Sequence, residues 1–159
     1  MKQTSLAKWL KAILIGVGVC GLIVYALVLP MVGKELIDGR EELQGYFWPW
    51  LVFLWATGVP CYAALVLGWK IAGNIGEDRS FSLDNAKLLK GIAGLAVGDA
   101  GFFFLGNLIF LFLNINHPGV VLFSLIVEFA GVAIAVVAAA LSHLVRKAAE
   151  LQDQSDLTI

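Results

Sequence analysis

The amino-acid sequence predicts an all-α integral membrane protein built as a bundle of four transmembrane helices. Of its 159 residues, 60% are hydrophobic and 14% are charged, and the mean hydropathy is +0.87. Soluble domains are about 45–50% apolar with glycine included. A water-soluble body of 17.1 kDa would leave much of this apolar surface in contact with water. A soluble globular domain is therefore excluded, and the lipid bilayer is the expected solvent.

Two uncharged stretches in the first half of the chain predict the first two spans. Residues 12–32 and residues 46–69 contain no Asp, Glu, Lys or Arg. A helix needs about 20 apolar residues to cross a hydrocarbon core about 30 Å thick. Each stretch is therefore long enough to cross the membrane once.

The second half of the chain predicts two further spans that are separated by a tight turn. Between residues 91 and 145 only Asp99 and Glu128 carry a formal charge, and one helix over this stretch would be roughly 80 Å long. The turn-forming residues at 114–119 include Pro118, which suits the first turn of a helix. The third and fourth spans are therefore expected at 91–113 and 120–143.

The distribution of Lys and Arg predicts the side of the membrane on which each flank lies. Nine basic residues lie in the N-terminal flank, the 70–90 loop and the 146–159 tail. The 33–45 loop has two basic residues beside four acidic ones, and the 114–118 turn has none. Because short loops rich in Lys and Arg stay in the cytoplasm, both termini and the 70–90 loop are expected to be cytoplasmic.

Composition and motifs argue against several functional classes. A formal net charge of −1 gives no basic footprint, so direct binding to nucleic acid is not expected. The sequence has no metalloprotease, serine-hydrolase or phosphate-loop motif, so we expect a protein that is not an enzyme and uses no cofactor or metal. Cys20 and Cys61 both fall within apolar spans, where a free cysteine packs as a small hydrophobic side chain.

Small residues at helical spacing predict packing surfaces in the third and fourth spans. They are Gly91, Gly94, Gly98 and Gly101 in the third span, and Gly131 and Ala135 in the fourth. Lipid provides no hydrophobic drive between helices, so small residues that permit close approach favour association. We expect the two spans to pack on each other, with a subunit interface in a homo-oligomer or a solute path as the alternatives.

Asp99 and Glu128 are the ionisable groups deep within the predicted spans. Each lies about eight residues from the end of its span, so both approach the midplane. A charge there costs roughly 2.5 kcal/mol or more, and we expect at least one carboxyl to be protonated at neutral pH. The pair is either a proton, cation or solute site, or a set of structural groups bonded to neighbours such as Asn107 and Ser124.

The cytoplasmic loop and the C-terminus carry apolar residues within polar flanks. Ser82 is a good N-cap for a helix that begins near Leu83 and continues into the third span. Phe81 and the final Leu-Thr-Ile are expected to dock against the inner end of the bundle or against a partner. The predicted docking residues are Phe81, Ser82, Asn85, Asp156, Leu157, Thr158 and Ile159.

The loop and the terminus also form a pair of recognisable motifs. They read Ser80-Phe81-Ser82-x-Asp84-Asn85-x-Lys87-x-Leu89-x-x-Ile92 and Ser155-Asp156-Leu157-Thr158-Ile159. The pair resembles the signatures of a bacterial membrane family, domain of unknown function 2975, although Ser80, Asp84 and Ser155 replace the usual proline, Glu and Asn. The resemblance covers nearly the whole chain and implies a small four-span protein of the bacterial cell membrane. Members are often encoded beside a small helix-turn-helix regulator of the Cro type, which implies a membrane-anchored regulatory partner.

Two functional hypotheses follow. The first is a non-enzymatic anchor whose cytoplasmic face binds a small helix-turn-helix transcription regulator. The alternative is a small transporter or ion-responsive protein that uses Asp99 and Glu128. A single cavity lined by both carboxyls would favour the transporter, whereas carboxyls at separate helix contacts would favour the anchor.

The charge asymmetry makes the topology testable. In a background with both native cysteines replaced by alanine, Arg40→Cys should react with a membrane-impermeant thiol reagent added to intact cells, because the 33–45 loop lies outside. Ser80→Cys should react only after the cells are opened. Labelling of residue 80 but not of residue 40 in intact cells would show that the orientation is the reverse of the predicted one.

Overall fold

The computed structural model describes residues 3–156, with side chains through residue 155, and its order of helices matches the four predicted spans. The first span is one continuous helix, Gln3–Ile37, made of α1 (Gln3–Ile23), a π-helical turn (Val24–Val28) and α2 (Leu29–Ile37). A 3-10 helix follows at Glu41–Tyr46. The other spans are α3 (Phe47–Gly76), α4 (Leu83–Phe112) and α5 (Pro118–Asp156). All four are long and apolar enough to cross a membrane, which confirms the predicted fold class.

The helices α3, α4 and α5 extend beyond the predicted spans at the end of the molecule where α1 begins. The expected 70–90 loop is reduced to residues 77–82, because α3 continues to Gly76 and α4 begins at Leu83. The 146–159 tail is helical as far as Asp156, and residues 157–159 lie outside the described part of the chain. Hydrophobicity marks where a helix leaves lipid, whereas caps and turns determine where it ends.

The turn between α4 and α5 ends one helix and begins the next. Asn114 adopts a left-handed conformation with φ of 58°, and the backbone N–H of Ile115 donates to the carbonyl of Phe110 at 3.0 Å. This is the pattern of a helix C-terminus closed by an asparagine. Pro118 then begins α5, as its fixed φ favours.

The spans pack in an open row rather than in a closed bundle. α3 contacts α1 on one side and α4 on the other, and α5 packs on α4 alone among the described elements. The first and fourth spans are not neighbours. The four spans thus form a row in which α1 and α5 are the two edges.

Three separate segments meet at one end of the row. Gln3 at the start of α1, the 78–84 segment and the last turns of α5 line a common hollow, and the Ser80 hydroxyl donates to Gln3 Oε1 at 3.0 Å. The start of α1, the last turns of α5 and the 77–82 loop thus lie at the same end of the row, as four antiparallel spans require. That this end is cytoplasmic stays a prediction.

α4 and α5 form the closest helix pair through a seam of alanines and other small residues. A Cβ atom built on Gly131 would lie 3.6 Å from Cβ of Ala100, and the Ser142 hydroxyl donates to the Ala86 carbonyl at 2.6 Å. Small side chains let the two backbones approach closely enough for such contacts. The buried small residues of the two helices are Ala86, Ala93, Ser124, Ala135, Ala138 and Ala149.

The predicted glycine seam of α4 is wrong at three of its four positions. Cβ atoms added to Gly94, Gly98 and Gly101 would meet no atom within 4 Å, so none of the described helices packs on them. Only Gly91 is in contact, with Leu67 of α3. The reason is rotational, since Gly98 lies roughly 200° around the helix from Ala100, which faces α5.

The two faces of α4 should respond differently to a bulky side chain. Ala135→Leu overfills the α4–α5 seam, where Ala135 is 3% exposed, and should destabilise the protein by about 1–3 kcal/mol. Gly98→Leu should leave the melting temperature nearly unchanged, because its face is open. Thermal unfolding in detergent compares the two variants, and equal destabilisation would contradict this assignment of faces.

Candidate functional site

The open face of α4 forms one wall of a groove between α3 and α4. The groove has a volume of about 730 Å³. Its lining residues are Ala56, Val59, Pro60 and Leu67 from α3, and Gly91, Gly94, Leu95, Gly98, Asp99 and Phe102 from α4. The glycines create the space because they contribute no side chain to it.

A cluster of aromatic side chains fills the α3–α4 interface beyond one end of the groove. Phe53 is buried and lies 5.3 Å from the Phe102 ring and 5.7 Å from the Phe103 ring, between centroids. Phe53 also lies in close contact with Gly106, which has no side chain to oppose the ring. Trp50 and Phe110 extend the cluster toward the α4–α5 turn, where the Trp50 indole donates to the Ile115 carbonyl.

Asp99 is the ionisable residue of the groove. Its Oδ2 accepts a hydrogen bond from the Cys61 thiol over 3.6 Å, while its Oδ1 is buried and has no hydrogen-bond partner among the described residues. The interpretation of Cys61 as an apolar filler is therefore wrong, since its thiol contacts the carboxyl. No pattern in the sequence indicates this contact, because the two residues are 38 positions apart.

A second polar contact links the first span to α3 close to Cys61. The Tyr25 hydroxyl lies 3.3 Å from Oγ1 of Thr57, one turn before Cys61. Tyr25 lies in the π-helical turn, and its carbonyl accepts a hydrogen bond from the Trp55 indole at 2.8 Å. Polar groups from three neighbouring helices therefore lie close to one another within the apolar spans.

Glu128 lies at a different interface from Asp99. It occupies the α5 face that carries Ser124 and Ala135 and packs on α4, and its Oε1 is buried without a partner among the described residues. It does not line the α3–α4 groove. The two carboxyls are therefore not brought into one cavity. The protonation of at least one of them stays a prediction.

Asn107 and Ser124 satisfy backbone groups. Asn107 is fully buried, its Nδ2 donates to the Phe103 carbonyl at 2.9 Å, and its Oδ1 accepts from Asn116 at 3.1 Å. The Ser124 hydroxyl donates to the Val121 carbonyl at 2.7 Å. Asn107 thus ties the α4–α5 turn to α4 and forms no hydrogen bond with Asp99 or Glu128.

Asn85 organises the 77–82 loop between α3 and α4. Its side chain is 1% exposed, and its Nδ2 donates to the carbonyls of Arg79 and Ser80 at 3.1 and 3.0 Å. Its Oδ1 accepts from Asn74 at the end of α3. Its backbone N–H donates to the Ser82 hydroxyl, which confirms Ser82 as the N-cap of α4. The docking role predicted for Asn85 is wrong for the side chain itself, because it is enclosed.

Phe81 is the residue that this loop presents outward. Its side chain is 60% exposed, and it borders a hollow of about 580 Å³ beside Ala149 and Gln152 of α5. Asp78, Asp84 and Asp153 also line the hollow. The predicted docking residues Leu157, Thr158 and Ile159 lie outside the described residues, as does the Asp156 side chain.

A known protein family matches most of the chain. Residues 34–159 match the family described as Protein of unknown function (DUF2975). The chain belongs to this family. The match begins after the first predicted span, so it is shorter than the whole-chain resemblance expected from the motifs.

A full-length relative supports the same placement. The chain is 28% identical over 149 residues to the uncharacterized membrane protein YoaS of Bacillus subtilis (strain 168), and the alignment covers 92% of each protein. No solved structure matches the chain. The family and this relative agree with a multi-pass protein of the cell membrane, and neither names a ligand or a reaction.

The hydrogen bonds of the Asn85 side chain should keep the 77–82 loop ordered. Asn85→Ala leaves two loop carbonyls and the Asn74 amide without their partner, at a cost of about 1–3 kcal/mol. Trypsin should then cut after Arg79 several-fold faster than in the parent, whereas Asp84→Ala, an exposed neighbour, should leave the rate unchanged. Gel electrophoresis of limited digests in detergent measures both rates. Cleavage of Asn85→Ala at the parental rate would show that these hydrogen bonds do not order the loop.

Proposed function

We propose that the chain is a non-enzymatic membrane anchor that holds a small helix-turn-helix transcription regulator at its cytoplasmic end. The observation that carries the proposal is the composite hollow, in which three segments distant in sequence surround an exposed Phe81. A large apolar side chain in a polar loop, held in place by a buried asparagine, is typical of a docking anchor. Family membership supports a membrane location and leaves the partner to this proposal.

The charge of the hollow favours a basic partner. Asp78, Asp84 and Asp153 line the hollow and form no ion pair with the described residues, whereas Arg79, which also lines it, pairs with Glu77. DNA-binding domains carry basic surfaces for the phosphate backbone. A regulator bound through such a surface would be unable to hold DNA at the same time. Release from the membrane would then permit transcriptional control.

The arrangement of the carboxyls does not favour the transporter. A transport or sensing pair needs both groups in one accessible space, but Asp99 lines the α3–α4 groove and Glu128 lies between α4 and α5. The α4–α5 seam is filled by small side chains in close contact. The anchor is therefore the function that we propose.

Phe81 provides a direct test of the anchor. Phe81→Ser should lower co-purification of a co-expressed, tagged helix-turn-helix regulator at least about fivefold, since loss of an anchor residue costs about 1–4 kcal/mol. Leu36→Ser is the matched control, because Leu36 is 59% exposed at the opposite end of the first span. Both variants should insert into the membrane at the parental level.

Three results would contradict the proposal. The parent chain could fail to retain the regulator, Phe81→Ser could retain it fully, or Leu36→Ser could lose it to the same extent. The first result would show that the regulator is not a partner of the chain. The other two would show that the hollow is not its docking surface. A reporter gene controlled by the regulator measures the transcriptional effect in the same strains.

A further inference from the structure

We propose that the α3–α4 groove is a binding site for an amphiphilic organic cation, a molecule with an apolar body and one positive charge. The site is separate from the cytoplasmic hollow, and the proposal does not depend on the anchor function. It stands on the volume of the groove, on the character of its lining and on the single carboxyl that it contains.

The groove has the size and the lining of a small-molecule site. Its volume of about 730 Å³ lies within the range of roughly 300–1,000 Å³ typical of ligand pockets. Apart from Asp99, all of its lining residues are apolar or glycine.

Charge complementarity selects a cation. Asp99 lines the groove, and its recorded side-chain partner is the weak donor Cys61. The predicted spans contain no Lys or Arg to neutralise the carboxylate. Pro60 has no backbone N–H, so the Ala56 carbonyl cannot receive a helical hydrogen bond from residue 60, and both residues line the same groove. A positive ligand would offset the cost of an ionised carboxylate at this depth.

The glycines of α4 keep the site open. Cβ atoms on Gly94 and Gly98 would meet no atom within 4 Å, so side chains at these positions would project into unoccupied space. Leu67 and Phe102 limit the groove along its length. The missing side chains make room for the apolar body next to the carboxyl, which satisfies the two requirements of an amphiphilic cation in one place.

Glu128 provides a control for the charge. It is a second carboxyl in the spans, but it lies in the α4–α5 seam and does not line the groove. A ligand that only sought any buried acid would respond to both carboxyls. A ligand in the groove would respond to Asp99 alone.

Tetraphenylphosphonium is a suitable probe, because it is a rigid organic cation with an apolar surface. Equilibrium dialysis of the purified full chain in detergent should show saturable binding of the labelled probe. Asp99→Asn should weaken the affinity at least about tenfold, and Gly98→Leu should do the same by filling the groove. Glu128→Gln should stay within about twofold of the parent, and tetraphenylborate, which has the same shape and a negative charge, should not compete.

Several results would overturn the proposal. The parent could show no saturable binding, as expected if lipid or a second copy of the chain fills the groove. Asp99→Asn could bind the probe as tightly as the parent, or Glu128→Gln could lose as much affinity as Asp99→Asn. Tetraphenylborate could also compete effectively with the probe. Melting curves verify that each variant is folded. If Asp99→Asn does not fold, Gly98→Leu decides the result, since parental affinity in that variant excludes the groove.

Discussion

The inability of lipid to form hydrogen bonds constrains the whole structure. Every backbone N–H and C=O in the spans needs a partner within the protein, which leaves the helix as the available form for a chain of this length. At two places a side chain of α3 donates a hydrogen bond to a backbone carbonyl of the first span. The Trp55 indole bonds the Tyr25 carbonyl beside the π-helical turn, and the Tyr62 hydroxyl bonds the Gly18 carbonyl at 2.7 Å. These bonds also join the first span to α3.

α4 is the central element because its faces perform different tasks. The alanine face packs on α5, and the glycine face leaves the groove against α3. Two buried asparagines fix its ends, with Asn85 bound to the 77–82 loop and Asn107 bound to the α4–α5 turn. A single helix therefore positions the 77–82 loop, the α4–α5 turn and the wall of the candidate ligand site.

Hydrophobicity and turn residues were sufficient to predict the four spans, the N-cap at Ser82 and the helix start at Pro118. These features depend on local chemistry that the sequence displays directly. The glycine seam was wrong because alanines at seven-residue spacing provided the interface, and composition does not reveal which small residues face a neighbour. The contact of Cys61 with Asp99 and the enclosure of Asn85 depend on how helices rotate against each other, which no single segment specifies.

The open row has a consequence for how the protein assembles. Each span packs on the span that precedes it in the chain, and the first and fourth spans come near each other only at the hollow beside Phe81. Sequence-local contacts carry a small loop-closure cost and favour rapid folding. As each helix leaves the ribosome and enters the bilayer, its docking surface is already in place. Synthesis order and assembly order therefore coincide, and α5, which follows α4 in the chain, adds to one edge of the row.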